Sequence, residues 1–190
     1  MKNILIILVI AVIIPFTISP KTKSNKKGVK DFGNKCFLEA YTNQETEYFS
    51  SPKSGKPKGS FPGSSTIEIL DHRNGWFLVI SARFTIEGNE EFIKKSKYTE
   101  EDGITRIDNL KVWIEKEYVS INAKSSKSKK IPLYSKPGAS GKVIAHIPVE
   151  TELPMTSCSN DWAEVKYEEK TGWIDRAHQC GDPLTNCQIE

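Results

Sequence analysis

The chain has 190 residues, 27 Lys and Arg against 24 Asp and Glu, a net charge of +3, and a hydrophobic share of 37%. That length admits one ordinary domain or two small ones, and the low apolar share restricts them to thin cores. The surplus of positive charge is too small to mark a nucleic-acid-binding protein, so no nucleic-acid partner is expected.

At the N-terminus, Met1-Lys2-Asn3 precedes an apolar run from Ile4 to Ile18. The run is shorter than the roughly 20 residues of a membrane-spanning helix and suits the hydrophobic region of a signal peptide. Thr17-Ile18-Ser19 supplies small residues for cleavage, while Pro20 opposes it. Residues 1–19 are therefore read as a signal peptide or a short membrane anchor, the latter attaching the protein to a membrane. Residues 20–35 read as a basic flexible linker carrying Lys21, Lys23, Lys26, Lys27 and Lys30. These lysines form either a solvated tether or a patch lying on anionic lipid headgroups. By the positive-inside tendency they favour the cytoplasm. The cysteines argue the other way.

Cys36, Cys158, Cys180 and Cys187 make an even set in a small chain, which points to disulfides and an oxidising compartment. Gly181, Asp182, Pro183 and Asn186 can turn the chain between Cys180 and Cys187. That makes these two the first expected pair and leaves Cys36 with Cys158. Two other readings are four reduced thiols and a zinc site from Cys158, His178, Cys180 and Cys187. No Cys-x-x-Cys knuckle supports the zinc, so neither metal nor cofactor is expected.

Between these features the chain reads as short β-strands separated by turn residues. Thr66-Ile67-Glu68-Ile69 alternates, His72-Arg73-Asn74-Gly75 is a turn with an Asn-Gly hairpin signal, and Trp76 to Ile80 follows as a strand. Lys142 to Ile147 and Glu152 to Thr156 are further strands. Ser159-Asn160-Asp161 turns into a strand from Trp162 to Tyr167, and Glu168 to Gly172 turns into Trp173-Ile174-Asp175. A polar stretch at 123–130 divides the folded part into residues 36–122 and 131–190, the second with a disulfide-rich tail.

The two pieces read as copies of one plan. Ser51-Pro52 corresponds to Lys136-Pro137, Asn74-Gly75-Trp76 with Val79 to Asn160-Asp161-Trp162 with Val165, and Val112-Trp113-Ile114 to Gly172-Trp173-Ile174. The first copy carries an insertion around 82–109, read as an extended hairpin or loop.

The second piece resembles the bacterial SH3 family. The resemblance is carried by Leu133-Tyr134-Ser135-Lys136-Pro137-Gly138, Val143-Ile144, Asp161-Trp162-Ala163-Glu164-Val165 and Lys170-Thr171-Gly172-Trp173-Ile174. Trp113-Ile114-Glu115-Lys116-Glu117-Tyr118-Val119 looks like the closing segment of such a barrel, around a short 3₁₀ turn. Glu150, where the family has a turn glycine, and Val112, in place of Gly before Trp113, depart from the pattern. The resemblance implies an all-β fold of two small SH3-like barrels in tandem behind the N-terminal hydrophobic segment.

Strand parity places the aromatics. With Ala163 and Val165 inside, Trp162 faces outward beside Glu164 and Lys166; with Val79 inside, Trp76 faces outward. In the family the equivalent Trp borders the ligand groove. This makes Tyr134, Trp162, Trp173, Trp76, Trp113 and Tyr118 the candidate ligand-binding residues, with packing under loops as the plainer alternative. Proline-rich ligands are not implied, because Glu115 and Asp175 stand where eukaryotic SH3 domains carry proline. No catalytic residues are expected: there is no His-Glu-x-x-His, no phosphate loop, and no carboxylate pair in apolar surroundings. Two functional readings result. One is an exported, non-catalytic module in the periplasm, on the cell surface or anchored to the membrane, binding peptidoglycan peptide or an envelope protein. The other is a disulfide-stabilised structural protein of the envelope without a wall ligand.

Overall fold

The computed structural model describes residues 34–86, 99–101 and 103–182. The expectations for residues 1–19, for most of the basic linker and for Cys187 lie outside them. Within the first half the strands are β1 (Asn34–Thr42), β2 (Thr46–Tyr48), β3 (Gly59–Phe61), β4 (Thr66–Arg73), β5 (Trp76–Thr85), β6 (Thr99–Glu101), β7 (Ile104–Ile107), β8 (Val112–Glu115) and β9 (Val119–Ala123). The second half adds β10 (Lys130–Tyr134), β11 (Val143–Pro148), β12 (Glu152–Ser159), β13 (Trp162–Tyr167), β14 (Lys170–Ile174) and β15 (Gln179–Cys180). Among the described residues the remaining regular structure is two 3₁₀ turns, Lys116–Tyr118 and Arg176–His178. The fold is all-β, as the sequence indicates.

Local chemistry accounts for the strand ends. Asn74 and Gly75 both take positive φ, 49° and 83°, and connect Arg73 to its partner Trp76 in a two-residue turn. That pair of left-handed residues matches the twist of an antiparallel hairpin. The strand before it runs on to Arg73, two residues into the stretch read as turn, because His72 and Arg73 still pair with Phe77 and Trp76. On β13, Ala163 and Val165 are buried while Trp162 and Glu164 are partly exposed, as strict alternation demands. The insertion contributes the β6–β7 hairpin, which extends the sheet from β5 and packs Phe84 and Ile107 into a small satellite core.

The pairing between the halves differs from the expected pair of separate barrels. One hydrogen-bonded path runs β11-β10-β14-β13-β12-β9-β1-β4-β5-β7-β6 through both, and β8 joins at β5. Its junction is β9. Ser120 pairs with Tyr41 of β1 and with Pro154 of β12, and Asn122 pairs with Glu152 of β12 and with Cys180 of β15. A strand has two edges, so β12 occupies one edge of β9 while β1 and β15 occupy the other in succession. The polar stretch at 123–130 is therefore no separator: Ala123 ends β9, Lys130 begins β10, and the Ser125 and Ser128 hydroxyls hold the turn between them. A single core also crosses the junction. It contains Ile67, Phe77, Val79 and Ile114 from the first half and Leu133, Leu153, Met155, Val165 and Ile174 from the second.

A disulfide reinforces this junction. Cys36 of β1 and Cys158 of β12 are bonded across 122 residues of sequence with Cα atoms 5.6 Å apart. Beside it the Phe37 N–H donates to Asn160 O at 2.7 Å, and the Asn160 N–H donates to Lys35 O at 2.7 Å. Cys180 is also disulfide-bonded. A second contact crosses the junction at His72, whose Nδ1 lies 3.2 Å from Ser157 Oγ and whose ring packs 4.9 Å from that of Phe77. Its Nε2 is buried without a hydrogen-bond partner among the described residues. Burial pushes the imidazole below its ordinary value of 6.5, and the Lys116 charge adds to this against opposing pulls from Glu164 and Asp71.

Two outcomes are expected. Closing a loop of this length removes about 4–5 kcal/mol of chain entropy from the unfolded state on the loop-closure model. The Cys36→Ala, Cys158→Ala double variant should therefore lose about 2–5 kcal/mol in urea unfolding, and an unchanged midpoint would show that the β9 ladder alone fixes the halves. The neutral His72 contributes stability that is complete above pH 6.5 and is lost as pH falls through the lowered folded-state value. Acidification from about pH 7.5 to about pH 5 should thus lower the melting temperature of the wild type more than that of His72→Asn. Equal drops would acquit His72.

Candidate functional site

The expected site residues fall into two groups, one in each half. In the second half a row of cross-strand neighbours runs over β11, β10, β14, β13 and β12. Val143 pairs with Tyr134, Tyr134 with Trp173, Trp173 with Glu164, and Glu164 with Ser157. Directly paired residues point to the same face, so these side chains share the outer surface of the sheet. Trp162, two residues before Glu164, lies on that face, and its indole stands edge-on to the Tyr134 ring at 5.6 Å and 78°. Tyr134, Trp162 and Trp173 are each partly exposed. Val143 is 48% exposed and extends the apolar strip toward the edge strand β11.

Two glycines permit this arrangement. A Cβ on Gly172 of β14 would stand 2.7 Å from both Leu133 Cγ and Tyr134 O, and one on Gly141 would stand 3.1 Å from Tyr134 Cβ. Only a residue without a side chain lets the chain close on Tyr134 from these sides. The ladder steps out of register between Leu133 and Tyr134, at the residue whose ring meets Trp162.

The first half treats its aromatics differently. Trp76 projects opposite Phe77 and Val79, as parity requires, yet it is only 7% exposed. Phe49, after β2, covers it edge-on at 5.4 Å and 89°. Phe49 is fixed there by paired backbone bonds, its N–H to Trp113 O at 2.9 Å and the Trp113 N–H to Phe49 O at 2.8 Å. Trp113 is 9% exposed, with the Arg73 guanidinium 5.6 Å over its ring. Arg73 is in turn paired with Asp71 at 2.8 Å. The expectation of an exposed Trp76 is corrected here: the side of the strand is right, but a distant segment lies over it. Tyr118 stands on the first 3₁₀ turn and makes no ring contact with the other aromatics among the described residues.

Phe49 and Val143 escaped the sequence reading as site residues. Phe49 sits just beyond a short strand without a strong pattern, and its bridge partner Trp113 lies far along the chain. Val143 was legible as strand but not as exposed. Glu164 was legible as an outward neighbour of Trp162, and its geometry adds more. Its Oε2 accepts a 2.7 Å hydrogen bond from Thr156 Oγ1 beside the aromatic strip.

The groups weighed for other chemistry are otherwise engaged. Cys158 is bonded to Cys36 and Cys180 is disulfide-bonded, which removes two sulfurs from the zinc reading. His178 Nδ1 lies 2.7 Å from Asp175 Oδ1, an i,i+3 contact that braces the second 3₁₀ turn. Among the described residues no group of three or more His, Cys, Asp or Glu side chains is placed to hold a metal ion.

Comparison with solved structures finds two proteins of Trichomonas vaginalis, reported as the structures of NlpC2 and NlpC1. Each is 14% identical to this chain with a TM-score of 0.27. The alignments cover 76% and 75% of this chain but 47% and 45% of theirs, so this chain spans about half the length of either. No curated protein matches. A family model described as bacterial SH3 domain matches residues 129–178, the stretch from the start of β10 through the second 3₁₀ turn. The segment that carries Tyr134, Trp162 and Trp173 is thus similar to the bacterial SH3 domain family.

Proposed function

We propose that this protein is a non-catalytic binding module of the cell envelope, and that its ligand lies on the Tyr134–Trp162–Trp173 face of the second half. The observation that carries the reading is the contrast between the halves. On the same sheet face at equivalent strand positions, Trp76 is sealed by Phe49, whereas Trp162 is left partly open beside Tyr134. Partly exposed aromatics in a contiguous strip are costly to leave in water and are common at recognition surfaces. The match to the bacterial SH3 family supports a wall-associated ligand, either a peptidoglycan peptide or a peptide segment of an envelope protein.

In this reading each half follows the plan of an SH3-like barrel, residues 36–122 and 131–190, with the ladders merged at β9. The first serves as a structural support. The Cys36–Cys158 disulfide supports residence outside the cytoplasm, as an exported protein that is free or membrane-attached. A purely structural role for the whole chain is favoured by one observation, the closed aromatic cluster of the first half, and that observation does not extend to Trp162.

Retention of the intact protein on purified peptidoglycan sacculi tests the proposal. Trp162→Ala should weaken retention about tenfold or more while leaving the melting temperature nearly unchanged. Trp76→Ala should do the reverse, costing about 3–5 kcal/mol of stability through the cavity under Phe49. No retention of the wild type would remove the wall ligand, and equal retention of the Trp162 variant would remove this face.

A further inference from the structure

Glu164 is unusual among the carboxylates of the described residues that are held in place. Asp71, Glu39, Glu68, Asp108, Asp175 and Asp182 each have a cationic or histidine partner within 4 Å. Glu164 has none among the described residues, although it is half-buried and anchored. Thr156 occupies Oε2, while Oε1 has no hydrogen-bond donor among the described residues and is not a buried atom. A positioned carboxylate with a free oxygen, directly opposite Trp173 and two residues from Trp162, lacks a counter-charge in the protein.

The neighbouring groups do not supply one. Lys166 is exposed on the same strand and forms no ion pair among the described residues. His72, which approaches through Ser157 from β4, is kept neutral by burial near neutral pH. Lys116 acts on His72 from the first 3₁₀ turn, and Asp71, which accepts from the His72 N–H, has Arg73 as its partner. Charge complementarity therefore asks for a cation from outside.

We infer that the ligand of this face is a peptide presenting a primary ammonium, which Glu164 receives against the Trp173 indole. An ammonium there gains a charge-assisted hydrogen bond to Oε1 and lies over or beside an aromatic face, two contacts that reinforce one another when partly desolvated. The inference rests on the reading of the Tyr134–Trp162–Trp173 face as the ligand site and names what that site selects.

The test uses the full-length protein, tryptophan fluorescence, and two probes: acetyl-Gly-Lys-Gly amide and the same peptide acetylated at the lysine side chain. The charged probe should bind about tenfold more tightly than the neutral one, with an advantage that shrinks as salt is added. Glu164→Gln, which keeps an acceptor for Thr156, should abolish the discrimination without changing the melting temperature, and Trp162→Ala should weaken both probes. Sacculi whose free amines have been acetylated should release the protein if the wall supplies the ammonium, and should retain it if the ammonium comes from a protein partner. Equal binding of both probes, or undiminished discrimination in Glu164→Gln, overturns the inference and leaves the aromatic face standing. Retention on untreated sacculi with no response to either probe does the same. Loss of retention together with no effect of Trp162→Ala removes the face itself.

Discussion

Five residues, Val119 to Ala123, carry hydrogen-bonded ladders on both edges, and the rest of the molecule is arranged around that fact. β12 lies along one edge, and β1 followed by β15 along the other. Val119, Ser120, Ile121 and Ala123 are all buried, so both faces of the strand are covered as well. A strand used in this way belongs to neither half. Without the second half, one edge of β9 would present unpaired N–H and C=O groups, a template for wrong association. Without the first half, β15 would lose the strand it pairs with and β12 one of its two partners. The closing strand β15 makes the dependence plain. It pairs with β9 rather than with β10, and Gly181 next to it packs so tightly on Glu39 of β1 that no side chain could be added there.

The two halves nevertheless present different surfaces at comparable positions. The hairpin strands β4–β5 and β12–β13 end in comparable left-handed turns at Asn74 and Asn160, and each begins its second strand with a tryptophan. Alternation then places both indoles opposite the core. What differs is the cover. Phe49 is brought over Trp76 by backbone bonds to Trp113, whereas the contact to Trp162 comes from Tyr134, a ring that stands edge-on and leaves the indole partly open. A side chain's direction follows from its own strand, but its exposure depends on what else arrives.

That distinction marks how far the sequence could be read. The Asn74-Gly75 hairpin, the β13 strand from Trp162 to Tyr167 and the inward Ala163 and Val165 are local properties, written in turn chemistry and period-two alternation. The Cys36–Cys158 bridge followed from counting cysteines once the two nearest in sequence were set aside. The merged ladder was not legible, since Val119-Ser120-Ile121-Asn122-Ala123 reads as an ordinary short strand with polar residues at alternate positions. Its burial on every side is imposed by partners more than 70 residues away in β1 and about 30 away in β12. The polar stretch after it, composed like a linker, turns instead of separating.

The candidate site is tied to the junction through one short segment. Along β12, Leu153 and Pro154 lie against β9, Thr156 holds the Glu164 carboxylate, Ser157 meets His72 of the first half, and Cys158 is bonded to Cys36. The ladder shifts register between Met155 and Ser157, which lets neighbouring side chains serve both the core and the outer face. The carboxylate beside Trp173 is thus set by a residue two positions from the disulfide. The edge of the aromatic strip is bordered by a histidine that belongs to the other half. A bond that holds the halves together also fixes where the charge of the candidate face stands. The first half, with its own aromatic surface closed, bears on the candidate site through the position it imposes on β12.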